Sequence, residues 1–291
     1  MRKGGKPLPY EHALVIREQL LEIYISGGRR KFSEYLGINE CGAGHLLKYL
    51  GFYSDEIQKK LRNREIEDLK KPRCINPFRP FTDMSTYILG FIVGDGCITS
   101  RGDNRVLNDV LDISCNDKQI IREIGKAFGI DECKIYEGRY KEGYKSTYSL
   151  FVDDFETIGD IKNFGIVPRK STYGCRIDID KRFYNHFVRG IFDSDGCVMF
   201  ANTNPNKVRL RVEICGHRSY LEDIVNNTDI RWKCKFVDGL SFIGIYDQKE
   251  IKKFFEYIYK DAGIKLERKW CRFYECFVNG RRDEQYRIYR V

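Results

Sequence analysis

The sequence predicts an α+β protein in which two pseudo-symmetric αββαββα repeats pack through their first helices, preceded by a small α-helical domain. Three observations predict this class. Blocks of sequence recur about one hundred residues apart, apolar and polar residues alternate in segments of strand length, and the first 57 residues carry helical periodicity instead. The chain has 291 residues, which is enough to bury the core that such an arrangement requires.

Three pairs of segments recur in the same order, which indicates a duplicated unit. The pairs are GFIVGDGCI at 90–98 and GIFDSDGCV at 190–198, CKIYEG at 133–138 and CKFVDG at 234–239, and GIVPRK at 165–170 and GIKLERK at 263–269. We therefore place the first repeat at 81–178, the second at 179–275 and a basic tail at 276–291.

Each repeat shows the pattern helix, two strands, helix, two strands, helix. In the first repeat, helices are predicted near Asp83 to Gly94 and from Asp117 to Phe128, where isoleucines fall at helical spacing. In the second repeat, Ser219 and Glu222 stand three residues apart and predict a capping box at the start of the equivalent helix.

The strands of the second repeat have one apolar face and one largely basic face. Apolar and charged residues alternate along 208–214, and again along 231–237. A sheet built from such strands is covered by helices on one side and open on the other.

The region before the repeats has a different character. Residues 1–57 are predicted to be helical, and 58–80 form a proline-containing basic linker. Contact with a DNA backbone and a solvated run of charges are equal interpretations of its basic residues. Around Gly37 the apolar residues have the spacing of a helix-turn-helix: Phe32, Leu36, Ile38, Ala43 and Leu46. A small helical bundle that packs against the rest of the chain is the equal alternative.

The composition of the chain indicates which class of partner the protein binds and in which compartment it resides. The net charge of +9 favours a polyanion, with nucleic acid as the leading candidate. No run of 18 apolar residues predicts a membrane span, and the N-terminal segment lacks the apolar part of a signal peptide. The 11 scattered cysteines include no CxxC pair, so we expect reduced thiols in an intracellular, reducing compartment.

The first helix of each repeat ends on an aspartate and carries a stripe of small residues. Gly90 and Gly94 stand four apart, as do Gly190 and Ser194, so the two helices can pack closely and bring their C-termini together. Asp95 and Asp195 then meet, although a carboxylate at a helix C-terminus opposes the helix dipole and the two charges repel. A hard divalent cation relieves this repulsion, and next to a phosphate backbone it would promote phosphodiester hydrolysis. For a single copy, the plainer interpretation is a helix end followed by a turn.

The paired segments ILGFIVGDG at 88–96 and VRGIFDSDG at 188–196 resemble the motif of the LAGLIDADG homing endonucleases. The resemblance covers about 81–275. It departs from the motif at Val93, where the family has an acid that the second copy keeps as Asp193, and at Arg189, where the family has a small residue. The family's fold implies that the repeats form a saddle of antiparallel sheets.

This resemblance implies a monomeric, site-specific endonuclease that cuts both strands of a long, asymmetric DNA target. Asp95 and Asp195 would be the catalytic metal ligands, with Gly94 and Ser194 beside them, for two or three Mg²⁺ ions that Mn²⁺ or Ca²⁺ could replace in binding. Lys170 and Lys269 correspond to the family's basic active-site residue, although an exposed lysine at a helix end is the alternative.

Further residues follow from the same resemblance. Asn116 and His217 are candidates for positioning water. The expected DNA-contacting residues of the two sheets are Lys134, Tyr136, Tyr140, Arg209, Arg211, Arg231, Lys233 and Lys235. For any one of these, an ordinary solvated sheet residue is the alternative.

Two other functions use the same scaffold. A DNA-binding regulator would bind without cutting, but it would not be expected to retain both aspartates. An intron maturase would bind RNA and assist splicing, instead of cleavage or in addition to it.

Overall fold

The computed structural model describes residues 10–102, 107–138, 146–201, 209–237 and 239–278. The chain divides into two compact units. One consists of Met1–Lys71 with Gly102–Asn108, and the other of Pro72–Arg101 with Asp109–Val291.

The N-terminal unit is helical, as predicted. Its helices are α1 (Tyr10–Val15), α2 (Arg17–Leu36), α3 (Glu40–Tyr49) and α4 (Asp55–Leu69). Helix α2 is interrupted at Gly27 and Gly28, where the backbone leaves helical geometry. The unit has its own apolar core, in which Tyr24, Phe32 and Phe52 form a cluster of aromatic rings.

The predicted linker at 58–80 is only partly irregular. Residues 58–69 belong to α4, whose Ile57 and Leu61 are buried in the core of the N-terminal unit. The basic charge that suggested a linker is the solvated side of this helix, because Lys59, Lys60 and Arg62 are exposed.

The second unit contains the two repeats apart from Gly102–Asn108, and each repeat has the predicted order of elements. The first repeat comprises α5 (Asp83–Asp95), β1 (Gly96–Gly102), β2 (Leu107–Cys115), α6 (Lys118–Ala127), a 3-10 turn (Glu132–Lys134), β3 (Tyr136–Gly138), β4 (Thr147–Val152), α7 (Phe155–Asn163) and α8 (Lys170–Tyr173). The second comprises α9 (Tyr184–Asp195), β5 (Gly196–Phe200), β6 (Leu210–Gly216), α10 (Arg218–Asn227), β7 (Lys233–Lys235), β8 (Ser241–Ile245), α11 (Gln248–Tyr259) and α12 (Glu267–Phe277).

The repeats form two four-stranded sheets of identical topology. Their strand orders are β1-β2-β4-β3 and β5-β6-β8-β7, and the pairs β2–β4, β3–β4, β5–β6, β6–β8 and β7–β8 are antiparallel. In β6 the predicted alternation is confirmed: Leu210, Val212 and Ile214 are buried, and Arg211 is exposed. The α+β class and the duplicated architecture are therefore confirmed.

Two local predictions were wrong. The strand expected over 231–237 is reduced to Lys233–Lys235, and its Cys234 is exposed because this short strand lies at the sheet edge and pairs with β8 alone. The capping box is absent, since His217 caps α10 by accepting the backbone N–H of Ser219. The Ser219 hydroxyl instead donates to the carbonyl oxygen of Cys175, 2.9 Å away, which lies in a distant loop.

Candidate active site at the paired helix ends

Helices α5 and α9 pack against each other along the predicted stripe of small residues. A Cβ built on Gly90 would overlap the carbonyl oxygen of Phe187, and one built on Gly190 would overlap the carbonyl oxygen of Tyr87. A Cβ on Gly94 would overlap the side chain of Ser194. Only glycine allows this approach of the two backbones, so the close packing fixes the position of both helix ends.

Asp95 and Asp195 are the last residues of α5 and α9, and both are partly buried. The glycine after each has extended backbone, with φ −86° at Gly96 and φ −82° at Gly196, and begins the next strand. A Cβ on Gly94 would stand 3.0 Å from Oδ2 of Asp195, so the carboxylate of one repeat lies against the helix end of the other.

Both carboxyl groups hold their protons more tightly than usual. Burial, followed by the charge of Asp195, raises the pKa of Asp95 to about 6. Burial likewise raises the pKa of Asp195, while Lys170 and Lys269 oppose the rise. The unfavourable ionisation predicted from the sequence is thus present, and a neighbouring cation would relieve it.

Lys170 and Lys269 lie at the same helix ends, but in different surroundings. Nζ of Lys170 donates to the carbonyl oxygen of Gly94 at 3.0 Å. Nζ of Lys269 donates to the carbonyl oxygens of Phe192 at 2.6 Å, Asp193 at 2.8 Å and Ser194 at 3.4 Å. Lys269 is only 3% exposed, so the alternative of a solvated lysine does not apply to it, and burial lowers its pKa to about 8.

Asp193, the acid that the second motif copy keeps where the first has Val93, belongs to a buried network beneath the site. Its carboxylate accepts hydrogen bonds from the hydroxyls of Tyr87 at 3.0 Å and Tyr259 at 2.7 Å, and from the backbone N–H of Leu266 at 2.8 Å. This fixes the segment that leads to Lys269. Comparison of Val93 with Asp193 indicated a difference between the repeats, but these partners lie 66 to 106 residues away in sequence and could not be deduced from it.

Arg189, the other departure, is also buried. Its guanidinium donates to the carbonyl oxygen of Ile258 at 3.0 Å, contacts the ring of His186 and lies over the ring of Tyr87. It therefore supports the packing of α9 and does not disrupt the helix pair.

A cleft opens beside Asp195, lined by Lys170, Cys215, His217 and Tyr220 among others. Nδ1 of His217 accepts the N–H of Ser219 at 3.2 Å, which places the ring at the cleft. The hydroxyl of Tyr220 donates to Oδ2 of Asp195 at 3.4 Å. Tyr220 was not predicted, because in sequence it is simply an apolar-face residue of α10.

Asn116 has a different environment from His217. It is exposed, and its Oδ1 accepts a hydrogen bond from the hydroxyl of Thr147 at 3.1 Å, across to strand β4. Of the two candidates for positioning water, only His217 lines the cleft beside Asp195.

The expected DNA-contacting residues are exposed wherever the structure describes them. These are Lys134, Tyr136, Arg209, Arg211, Arg231, Lys233 and Lys235, whereas Tyr140 lies outside the described residues. Arg211 is paired with Glu213 and stacks on Tyr246, at 4.9 Å from its ring centre. Tyr246 and Phe242 add exposed aromatic surface to the same sheet.

The oxygen atoms at the two helix ends provide only some of the ligands that a hard cation requires. Two carboxylates with raised pKa and nearby backbone carbonyls are oxygen ligands of the kind that Mg²⁺ accepts, with water or phosphate supplying the rest. Over the described ranges, no group of three or more His, Cys, Asp or Glu side chains could hold a metal ion by itself. A metal at this site would therefore depend on further oxygens from outside the protein's side chains, such as water.

Neither a protein-family model nor a curated protein matches the sequence. Solved structures do match. The LAGLIDADG meganuclease I-AabMI bound to uncleaved DNA is 13% identical and has a TM-score of 0.47, over 71% of this chain and 91% of that one. I-DmoI in complex with DNA and Mn is 20% identical with a TM-score of 0.42, over 62% and 98%. I-SmaMI bound to uncleaved DNA with calcium ions is 11% identical with a TM-score of 0.44, over 71% and 92%.

Among the described helices, none is both long and apolar enough to cross a membrane.

Proposed function

We propose that this protein is a site-specific, divalent-metal-dependent endonuclease that cuts both strands of double-stranded DNA. The observation that carries the proposal is the placement of Asp95 and Asp195. Two acids from separate repeats are held at adjoining helix ends by a glycine-packed seam, beside a cleft, where burial resists the ionisation of both and the charge of Asp195 adds to the resistance at Asp95. A structural role does not account for two such unfavourable charges.

Asp95 and Asp195 would hold the metal, with the backbone carbonyls of Gly94 and Ser194 as additional oxygens. Each of these carbonyls accepts a lysine Nζ and keeps a second lone pair. When bound, Mg²⁺ polarises a phosphoryl oxygen and lowers the pKa of a coordinated water. Two or three ions would serve the two strands, with Mn²⁺ or Ca²⁺ able to substitute in binding.

The remaining residues of the cleft have separate roles. Lys170 and Lys269 fix the last carbonyls of α5 and α9 and place positive charge beside the scissile phosphates. Nδ1 of His217 is held 3.2 Å from the backbone nitrogen and 2.9 Å from the hydroxyl oxygen of Ser219, so the ring lies at the cleft, where it can position a water. Tyr220 orients the carboxylate of Asp195 through its hydroxyl.

The open sheet faces would bind the DNA. Exposed arginines and lysines can contact guanine edges in the major groove or phosphates along it, and exposed Tyr136 adds apolar contact. Since the two repeats differ in sequence at these positions, the target would be long and asymmetric, and one chain would suffice to bind it.

The test combines discovery of the target with removal of each acid. The protein is incubated with Mg²⁺ and a randomised or genomic DNA library, and the broken ends are sequenced. Wild type should yield ends that share one sequence. Asp95→Asn and Asp195→Asn should each reduce cleavage at least about a hundredfold while binding persists, because one metal-holding charge is lost.

Asp229→Asn is the matched control, because Asp229 is a fully exposed acid paired with Lys253 on the surface. It should cut as wild type does. Binding to DNA without cleavage would instead identify a regulator, and preferential binding of structured RNA would indicate a maturase. Unchanged cutting by both site variants would reject the catalytic assignment.

A further inference from the structure

The N-terminal unit contains two helices joined by a short turn of fixed geometry. The second part of α2, residues 29–36, ends at Gly37, whose φ of 64° is left-handed. The N–H of Ile38 bonds to the carbonyl oxygen of Ser33 at 3.1 Å, and Oδ1 of Asn39 accepts the N–H of Gly42 at 2.7 Å. Three residues therefore end one helix and cap the next.

The buried residues determine which side of α3 faces outward. Ala43, Leu46 and Leu47 are buried in the core of the unit, and Phe32 of the preceding helix is buried with them. The opposite side carries Cys41, Gly44, His45 and Lys48, at the spacing of one helix face; we call these four residues the outer face of α3. Three of the four are exposed, and Gly44 is partly so.

The outer face of α3 is sterically open around Gly44. Exposed Glu40 stands one turn before Gly44 and exposed Lys48 one turn after it, and an added Cβ on Gly44 would meet only the guanidinium carbon of Arg29, 3.9 Å away. Arg29, Arg30 and Lys31 are exposed at the start of the preceding helix, where cations oppose the helix dipole. Of these three, Arg30 pairs with Glu34, and the guanidinium of Arg29 donates a hydrogen bond to the hydroxyl of Tyr53 at 3.2 Å.

We propose that the outer face of α3 enters the major groove of double-stranded DNA, with Arg29, Lys31 and Lys48 against the phosphates. A helix fits this groove, and a glycine in its outer face lets the backbone approach the base edges closely. The inference deepens the proposed function, because it adds to the sheets a second surface that reads part of the same target.

A substitution at Gly44 separates this role from a purely structural one. Gly44→Gln removes a helix-interior glycine, so folding should be unimpaired, but the longer side chain blocks close approach to DNA. Gly159→Gln is the matched control, because Gly159 is a glycine of α7 with nothing within 4 Å of an added Cβ. Both full-length variants and wild type would be used, in EDTA, to select sequences from a randomised double-stranded DNA library.

Gly44→Gln should lose one block of the selected sequence and bind the wild-type selected duplex at least about tenfold more weakly. Gly159→Gln should behave as wild type. Equal affinity and an identical selected sequence for all three proteins would overturn the inference, and would leave the unit as a helical bundle.

Charge removal gives an independent readout. Lys31→Ala with Lys48→Ala should lower the slope of log affinity against log salt by about 2, because two phosphate contacts are lost. Lys59→Ala with Arg62→Ala removes the same charge from exposed positions of α4 and should leave the slope unchanged. Equal slopes for the two pairs would overturn the inference, as would tighter binding to duplex RNA of the same sequence.

Failure here is distinguishable from failure of the proposed function. If wild type selects DNA but never cuts it, the endonuclease assignment is rejected, while the DNA-binding role of the outer face of α3 is retained. If cutting is normal and Gly44→Gln selects the full wild-type target, the endonuclease assignment is retained and the role of the outer face of α3 is rejected.

Discussion

The two repeats place an aspartate at the same helix end, but they support it differently. In the second repeat, buried Asp193 fixes the chain near Leu266, and Lys269 below it contacts three carbonyl oxygens. In the first repeat, Val93 occupies the position equivalent to Asp193, and Lys170 contacts a single carbonyl oxygen, that of Gly94. Both repeats therefore contain the motif, but the buried hydrogen bonds that support its aspartate differ between them.

The two carboxylates, Asp95 and Asp195, also differ in their hydrogen-bond partners. Tyr220 of α10 donates a hydrogen bond to Asp195, whereas the equivalent position of α6 is Ile120, which is buried and has no polar group to offer. Two sites of one chemistry can therefore differ in rigidity and charge stabilisation, which predicts unequal effects of equivalent substitutions.

The largest effect on stability should come from removing Lys269, and the equivalent change at Lys170 should cost much less. Lys269→Met removes the buried positive charge next to Asp193 and the Nζ donor to the carbonyl oxygens of Phe192 and Asp193, and should cost about 3–5 kcal/mol of unfolding free energy. Lys170→Met loses one hydrogen bond and should cost about 1 kcal/mol. Urea unfolding of both variants measures the difference, and equal losses would mean that the repeats are supported alike.

The next effect concerns pH. The pKa of Asp95 is raised to about 6 in the folded protein, so ionisation destabilises the fold. The destabilisation is absent below about pH 4, grows as the pH rises through about 6 and is complete above it. Without metal, Asp95→Asn should therefore raise the unfolding free energy at pH 8 by about 3 kcal/mol, and the gain should vanish at pH 4.

Thermal and urea unfolding in EDTA across this pH range provide the measurement. Asp195→Asn should give a gain of the same sign but smaller size, because Tyr220 already stabilises the Asp195 carboxylate. A gain that is independent of pH, or a loss at pH 8, would contradict the prediction.

The smallest effect should come from Tyr220→Phe. Its hydrogen bond to Asp195 is long, at 3.4 Å, so stability should change by less than about 1 kcal/mol. Cutting should nevertheless slow about threefold on the strand served by Asp195, and not on the other. The ratio of the two nicked products, each strand carrying its own label, reports this.

Tyr148→Phe is the matched control, because the Tyr148 hydroxyl makes an equally long bond of 3.4 Å to Glu137 on the exposed sheet. It should leave the nicking ratio unchanged. If Tyr220→Phe slowed both strands equally, Tyr220 would not act through Asp195 alone.

The sequence by itself determined the repeats, the order of their elements and the pair of aspartates. Each of these follows from local spacing: alternation in β6, glycines four apart in α5, and segments that recur about one hundred residues later. Such patterns are visible without knowing which distant residues meet.

Only the tertiary structure decided how those aspartates are supported. The burial of Lys269, the hydroxyls that reach Asp193, the Tyr220 contact and the His217 cap of α10 all involve the path of the chain in three dimensions. A side chain's charge state and partners depend on what other elements pack around it, and water is excluded there only after the whole chain has folded.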